Sequence, residues 1–170
     1  MIRMLCLCFA AVAAMAPAAA RAPADRSDDW LPVNLDSLRK DAWRRTSPNA
    51  FAHVRLDMNG DGVKDEALLV VDHVQRRSAL KVCLAAKAPG SPADCHILAE
   101  DDDEGGYEVM GLEVRAPGCH RYTAINEGPD INGKICSKFE GLEYFRVGSS
   151  ASVFFYDNKT GLFTRYWESD

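Results

Sequence analysis

The amino-acid sequence predicts a mainly β, β-rich α+β fold: a single antiparallel-sheet domain, arranged as a sandwich or a curled sheet, with one N-terminal helix and two disulfides. Three observations support this fold class. Apolar and polar residues alternate along several short segments, clusters of Gly, Asn, Asp and Pro separate those segments, and four cysteines lie outside the N-terminal leader. A chain of 170 residues is long enough for one domain with a sizeable core.

The first 22 residues have the composition of a secretory signal peptide. Residues 1–22 contain an early arginine and an alanine-rich apolar stretch, and they end in a small-x-small pattern at Ala20 and Ala22. The apolar stretch is too short and too rich in alanine for a membrane span, which needs about 20 apolar residues. Cleavage after either alanine fits the pattern. We therefore expect an exported protein of the bacterial periplasm or the extracellular space, with residues 23–31 as an exposed leader and 32–170 as the folded domain.

The charge of the chain excludes some classes of partner. The formal net charge is −5, and cleavage after Ala22 would remove two arginines and leave the mature chain more acidic. An acidic protein is poorly suited to bind nucleic acid or an anionic membrane surface. Beyond the leader, no apolar segment approaches the length of a membrane span, so we also predict that the domain has none.

Four cysteines in an exported chain predict two disulfides. They are Cys83, Cys95, Cys119 and Cys136, and four cysteines can pair in three ways. We favour sequential pairing, because each pair then closes a local excursion between predicted strands and contributes roughly 3 kcal/mol through the unfolded state. A zinc site is the alternative, since Cys95 and Cys119 are each followed by histidine. The spacing matches no short zinc motif, and an oxidising compartment disfavours free thiolates.

One helix is predicted near the start of the domain. Asn34 is a suitable N-cap, Leu35, Leu38 and Ala42 recur at helical spacing, and a Ser-Pro pair then ends the run. These signals predict an amphipathic helix over 34–45.

The rest of the chain has the two-residue period of strands. The segment 66–73 is apolar on both faces, which predicts a central strand, and the charged residues after it predict a hairpin. Residues 157–161 also have the composition of a hairpin loop. The sequence between Cys119 and Cys136 has little periodicity and is predicted to be a long loop. The predicted strands lie within 50–56, 66–73, 78–85, 110–114, 142–147, 152–157 and 162–167, and the last three carry most of the aromatic residues, which we expect mainly in the core.

The segment 57–71, DMNGDGVKDEALLVV, has the pattern of a calcium-binding loop. Calcium prefers six to eight oxygen ligands, and a short loop can present several of them if it curls around the ion. Gly62 permits the sharp bend. Oxygens are available at positions one, three, five, seven (a main-chain carbonyl) and nine of the loop, which are Asp57, Asn59, Asp61, Val63 and Asp65. The helix-loop-helix calcium hand is excluded, because position twelve is Leu68 instead of glutamate and the flanks are strand-like.

The Asp-x-Asn-x-Asp-Gly-x-x-Asp pattern, followed by an apolar strand, resembles the calcium loops of FG-GAP repeats in integrin-type propeller blades and in many secreted bacterial proteins. The resemblance covers residues 57–71 only, and the single copy excludes a propeller. It implies that the same five residues bind Ca²⁺. We expect a structural ion that clips strand 50–56 to strand 66–73. The alternative is a metal-free turn, which Asp, Asn and Gly also favour.

No catalytic motif is present, so we predict a protein without enzymatic activity and assign no catalytic residue. The signatures of serine hydrolases, zinc proteases and nucleotide-binding loops are missing, and the histidines are dispersed. The acidic run 101–104 could bind a cation or a basic partner, although such runs are usually only solvated.

Export, acidity, disulfides and the missing motifs together favour a calcium-stabilised binding or inhibitory module. We include immunity-like proteins that block another protein's active site, and we expect the partner to be another protein or an envelope component. The favoured surfaces are the loop 101–106 and the segment between Cys119 and Cys136. Two alternatives stay open: a small secreted hydrolase of cell-wall or glycan substrates that uses spatially gathered acids, and a structural envelope protein.

Overall fold

A computed structural model of the chain describes residues 30–34, 36, 42–44, 51–88, 90–124 and 131–168. Within these ranges the protein is mainly β, as predicted, and consists of two antiparallel sheets. The first sheet contains β1 (Leu31–Pro32), β2 (His53–Leu56), β3 (Asp65–Asp72), β4 (Arg77–Leu84) and β5 (Asp94–Asp101). The second sheet contains β6 (Met110–Arg115), β7 (Gly118–Ala124), β8 (Ile131–Ser137), β9 (Gly141–Arg146), β10 (Ala151–Asp157) and β11 (Leu162–Glu168). A short 3-10 helix, Gly106–Val109, precedes β6.

The first sheet is built around β3, as its apolar sequence predicts. The order is β1-β3-β4-β5, and β2 also pairs with β3. Alternate residues of β3 serve two faces: Leu69 packs into the main core, whereas Val70 packs with Trp30 and Ala79 on the other side. The predicted hairpin between β3 and β4 is confirmed.

The second sheet has the order β6-β9-β10-β11-β7-β8. Its inner face packs on the first sheet, which gives the two-layer arrangement of a sandwich. The predicted hairpin loop 157–161 is confirmed: the Asp157 carboxylate accepts the Lys159 amide at 2.9 Å, and Gly161 has φ = +69°. The main core joins buried residues of both sheets, including Leu56, Leu69, Leu80, Val82, Leu112, Leu142 and Phe154.

Both disulfides form with the predicted sequential pairing. Cys83–Cys95 joins β4 to β5 and Cys119–Cys136 joins β7 to β8, and each pair consists of residues directly opposite in the strand register. The prediction of a long loop between Cys119 and Cys136 is wrong for the described residues. They form the β7–β8 hairpin, because the ladder of main-chain hydrogen bonds and the disulfide hold two strands that show no alternation in their side chains.

Most of the predicted N-terminal segments lie outside the described residues. This holds for the signal peptide 1–22 and for most of the helix predicted over 34–45, and no helix is seen at the few described positions of that range, where 42–44 form a turn. The leader 23–31 was predicted to be exposed, but Trp30 at its end is buried against the first sheet. Among the described residues, no helix has the length and apolarity needed to cross a membrane.

Candidate metal loop and adjacent groove

The acidic loop connects β2 to β3, so its two flanks are antiparallel strands. Leu56 and Asp65 are opposite each other in the register, and the loop closes this end of the hairpin. Two glycines allow the tight path, because Gly60 has φ = +70° and Gly62 has φ = +85°. The local sequence therefore produces the strand–loop–strand arrangement that it predicts.

The polar side chains of the loop bind its own main chain. The Asp57 carboxylate accepts the amides of Asp61 at 3.1 Å and Gly62 at 3.0 Å. The Asn59 side-chain oxygen also accepts the Asp61 amide, at 3.0 Å. The Asp61 carboxylate accepts the Val63 amide at 2.8 Å. Bonds from Asp and Asn oxygens to amides a few residues along are typical of turns rich in these residues.

Asp65 is the buried residue of the predicted ligand set. It is fully shielded from solvent, and its two oxygens accept the amides of Met58 and Ala85, each at 2.9 Å. Burial raises the pKa of Asp65; the two amide bonds oppose that rise, and the carboxylates of Asp61 and Asp57 add to it. A cation at this loop would offset both the desolvation and the repulsion.

The structure thus brings the predicted ligands onto one turn but leaves the calcium assignment a prediction. Asp57, Asn59, Asp61 and Val63 take part in the hydrogen bonds of the loop, and Asp65 lies beneath them. No group of three or more His, Cys, Asp or Glu side chains in the described part of the chain is arranged to hold a metal ion.

Two further residues bind the loop from the second sheet. The Glu140 carboxylate accepts the Asp57 amide at 2.6 Å and the Lys64 ammonium at 2.8 Å. These two bonds, chiefly the one from Lys64, lower the pKa of Glu140. The Asn158 amide group donates to the Asn59 carbonyl at 2.6 Å. The sequence gives no signal for these contacts, because their partners lie 83 and 99 residues away along the chain.

A groove of about 470 Å³ lies beside the loop, between the end of β8 and the β10–β11 hairpin. Phe139 on one side of the groove packs over Gly60, and Asn158 on the other side bonds to Asn59. Lys138 and Lys159 are exposed at its rim. The full lining is Ile135, Cys136, Ser137, Lys138, Phe139, Phe155, Tyr156, Asp157, Asn158, Lys159, Thr164 and Tyr166.

Aromatic contacts connect the disulfide-linked hairpin β7–β8 to its neighbours β10 and β11 in the second sheet, on the face that borders the groove. His120 lies 5.6 Å from Phe155, and Tyr122 lies 4.9 Å from Tyr166, measured between ring centroids. Phe155 and Tyr166 also contact each other at 6.2 Å. Buried Phe155 supports the expectation that these aromatic residues are mainly core, while Tyr166 is only half-buried and reaches the groove.

The loop 101–106, also predicted as an interaction surface, is occupied by local bonds. Asp101 accepts the Asp103 amide and Asp103 accepts the Gly105 amide. Glu104 lies 2.6 Å from His73 and 3.7 Å from Arg76. The acidic run forms a turn in which Glu104 contacts His73 and Arg76, and the groove is the better-formed surface.

A second cluster of acids lies on the second sheet. Glu113 and Glu143 are opposite each other on β6 and β9, and Arg115 contacts Glu143 at 2.9 Å and Glu168. Burial raises the pKa of Glu143; Arg115 opposes this, and Glu168 and Glu113 add to it. Glu113 and Glu143 line a pocket of about 500 Å³ that also contains the rings of Trp43, Phe51 and Phe145.

We compared the chain with known protein families, curated proteins and solved structures. No family model, no curated protein and no solved structure matches the chain.

Proposed function

We propose that this protein is an exported, calcium-stabilised binding or inhibitory module that acts on another protein or an envelope component without catalysing a reaction. One observation carries the proposal: both sides of the groove are attached to the acidic loop, through Phe139 on Gly60 and through Asn158 on Asn59. The groove, as the proposed binding surface, is therefore held in direct contact with the candidate metal loop.

The proposed metal role follows from the resemblance to FG-GAP calcium loops and from the charges of the loop. Asp57, Asn59, Asp61, the Val63 carbonyl and Asp65 would hold the ion, which would neutralise the crowded carboxylates. Binding of the ion would therefore also order the residues that contact the loop. A firmly held loop fixes the contacts that position Phe139 and Asn158.

The residues that line the groove favour one kind of partner. The groove wall carries the rings of Phe139 and Tyr166, and its rim carries the exposed Lys138 and Lys159, the second of which interacts electrostatically with Asp157 of the same lining. Aromatic rings beside exposed cations fit a segment that combines apolar and acidic residues. We therefore propose an acidic segment of a partner protein as the ligand, which would make the interaction sensitive to salt.

Capture from envelope extract tests this function. Immobilised mature protein should retain a defined partner when calcium is present and release it when a chelator is added. The double variant K138E/K159E should lose the partner, because both rim charges are reversed. The matched control R55E/K87E reverses two exposed charges outside the groove and should keep it. Equal capture by all three proteins, or no protein or glycan partner at all, would contradict the proposal.

A small hydrolase is the second candidate, favoured by the pair Glu113 and Glu143 in an aromatic pocket. Burial raises the pKa of Glu143 above its usual range, as a general acid requires. Purified protein should then release fragments from cell-wall glycan, and E143Q should abolish the release while E66Q, on the first sheet, should not. Absence of release by the unaltered protein would remove this candidate.

A further inference from the structure

Arg165 projects toward the first sheet, and no carboxylate of the described residues lies within salt-bridge distance of it. Arg165 lies on β11, and side chains alternate along a strand, so it points to the face opposite Thr164 and Tyr166 of the groove. It is half-buried, and this burial lowers its pKa. A desolvated cation is costly unless an anion is close by.

The guanidinium of Arg165 is held in place by its surroundings. Its Nε donates to the Ser152 hydroxyl at 3.0 Å, and that hydroxyl donates to the Tyr144 carbonyl at 3.3 Å. Its central carbon lies 4.0 Å from the centre of the Trp167 ring and 5.3 Å from that of Phe154. Stacking and the Nε bond together orient the planar group.

The other two partly buried arginines in the described part of the chain are paired with carboxylates. Arg77 contacts Glu100 at 2.6 Å and Asp72 at 3.5 Å, and Arg115 contacts two glutamates. Arg165 has no carboxylate within salt-bridge distance among the residues that the structure describes. Its two terminal nitrogens also have no hydrogen-bond partner there.

Arg165 lines a cavity of about 230 Å³ whose wall contains residues of both sheets. Arg146 and Ser150 add a second cation and a hydroxyl to its wall. Two acids share this wall: Glu100 is paired with Arg77, whereas Asp101 accepts the Asp103 amide and keeps its charge, so the two arginines face one carboxylate that has no ion-pair partner among the described residues. The complete lining is Ala99, Glu100, Asp101, Met110, Tyr144, Arg146, Ser150, Arg165 and Trp167.

We propose that this cavity is a binding site for a small carboxylate or another small oxyanion, gripped in two-pronged fashion by the terminal nitrogens of Arg165. The fixed plane of a guanidinium matches the two oxygens of a carboxylate, and charge-assisted bonds of this kind are strong. Arg146 and Ser150 supply further donors at the wall. The site lies on the other face of β11 from the groove, so it depends on neither the proposed partner nor calcium.

Titration of the mature protein with sodium acetate, succinate and phosphate tests the site. Amide chemical shifts would be followed by NMR, with sodium chloride added to keep the ionic strength constant. We expect saturable shifts centred on Arg165 and Trp167, with acetate and succinate reporting carboxylate recognition and phosphate reporting a general oxyanion site. Shifts that fail to saturate with all three salts, or that lie elsewhere, would overturn the proposal.

Substitutions at Arg165 distinguish bidentate hydrogen bonding by the guanidinium from attraction by a positive charge alone. R165M keeps an apolar stem and removes a desolvated charge, so the protein should stay folded while affinity falls at least roughly tenfold, the loss expected for one charge-assisted bond. R165K keeps the positive charge but lacks the two planar terminal nitrogens of the guanidinium, so it should also weaken binding. The control R55M should bind like the unaltered protein. Undiminished affinity of R165M or R165K for the anions would overturn the assignment. If R165M does not fold, the affinity of R165K alone tests the proposal.

Discussion

At the scale of single residues, Asp72 shows how a buried acid is made stabilising. It is almost completely shielded from solvent, and its carboxylate accepts the amides of Gln75 at 3.0 Å and Val74 at 2.9 Å in the turn after β3. The Gln75 amide, then the Val74 amide and Arg77, lower the pKa of Asp72 below 3.8 against the opposing effect of burial.

This shift predicts a specific pH dependence. Because the pKa of Asp72 is lower in the folded protein than in the unfolded chain, its contribution to stability is complete above pH 3.8 and is lost as the pH falls through the folded-state pKa. The variant D72N should be less stable than the unaltered protein at pH 7, and the difference should shrink below pH 3.8. Urea unfolding at a series of pH values measures this. A difference that stays constant with pH, or an equal effect of D102N at an exposed acid, would contradict it.

Two glycines of the acidic loop form a matched pair for a second prediction. Both have a positive φ, but a Cβ atom on Gly60 would lie 1.9 Å from the Phe139 ring, whereas one on Gly62 would meet nothing within 4 Å. G62A should therefore cost only the conformational strain, about 1–2 kcal/mol. G60A should cost more, because Phe139 must also move. Chemical denaturation compares the two variants, and equal losses would show that Phe139 does not pack tightly on the loop.

The same loop shows what can be predicted from residues near each other in sequence. The alternating oxygens and Gly62 mark the turn, because a turn depends on local spacing and on permitted backbone angles. Glu140 and Asn158 could not be predicted. Their side chains reach the loop only after the two sheets have packed, and neither has a sequence pattern that specifies this contact.

At the scale of elements, strands with alternating or uniformly apolar sequence were predictable. β3 and the β10–β11 hairpin lie where their sequence patterns place them, since burial of one or both faces requires those patterns. β7 and β8 were missed, because their packing depends on a few rings such as Tyr122 and on a disulfide instead of an apolar stripe. The sheet order, with β9 between β6 and β10, was also beyond prediction, because it joins strands that are distant in sequence.

The two disulfides should therefore differ in what they stabilise. Cys119–Cys136 closes a hairpin whose described pairing with β11 is a single position, Thr123 opposite Trp167. Its loss should open β7 and β8 selectively, with a cost of about 3 kcal/mol. The pair Cys83–Cys95 spans a similar stretch, but β4 is also paired along its length with β3.

Hydrogen exchange measured by mass spectrometry separates these outcomes. C119S/C136S should lose amide protection in β7 and β8 while β3 and β4 keep theirs. C83S/C95S is the matched control, and it should leave β7 and β8 protected. Uniform loss of protection across both sheets in C119S/C136S would show that the hairpin is part of one cooperative unit with the core.

At the scale of the whole molecule, the acidic loop occupies a junction between the two sheets. It belongs to the first sheet through β2 and β3, and it contacts the second through Glu140, Phe139 and Asn158. An ion at this point would join two layers whose other contact is mainly the apolar core. The proposed metal would then influence the stability of the entire domain and the shape of the groove together.

Calcium should therefore raise the unfolding temperature of the mature protein, and a chelator should lower it. A ligand at 100 times its dissociation constant adds about 2.7 kcal/mol to the stability of the state that binds it. The variant D61N is the sharpest test, because its amide oxygen can still accept the Val63 amide but lacks the charge that a hard cation favours. We expect D61N to remain folded and to lose most of the calcium response, whereas D102N, which removes the same charge from the acidic run 101–104, should respond fully.

Thermal unfolding followed by circular dichroism measures all three proteins with calcium and with chelator. An unfolding temperature that neither addition changes in the unaltered protein would identify the loop as a metal-free turn, held by the amide bonds of Asp57, Asn59 and Asp61.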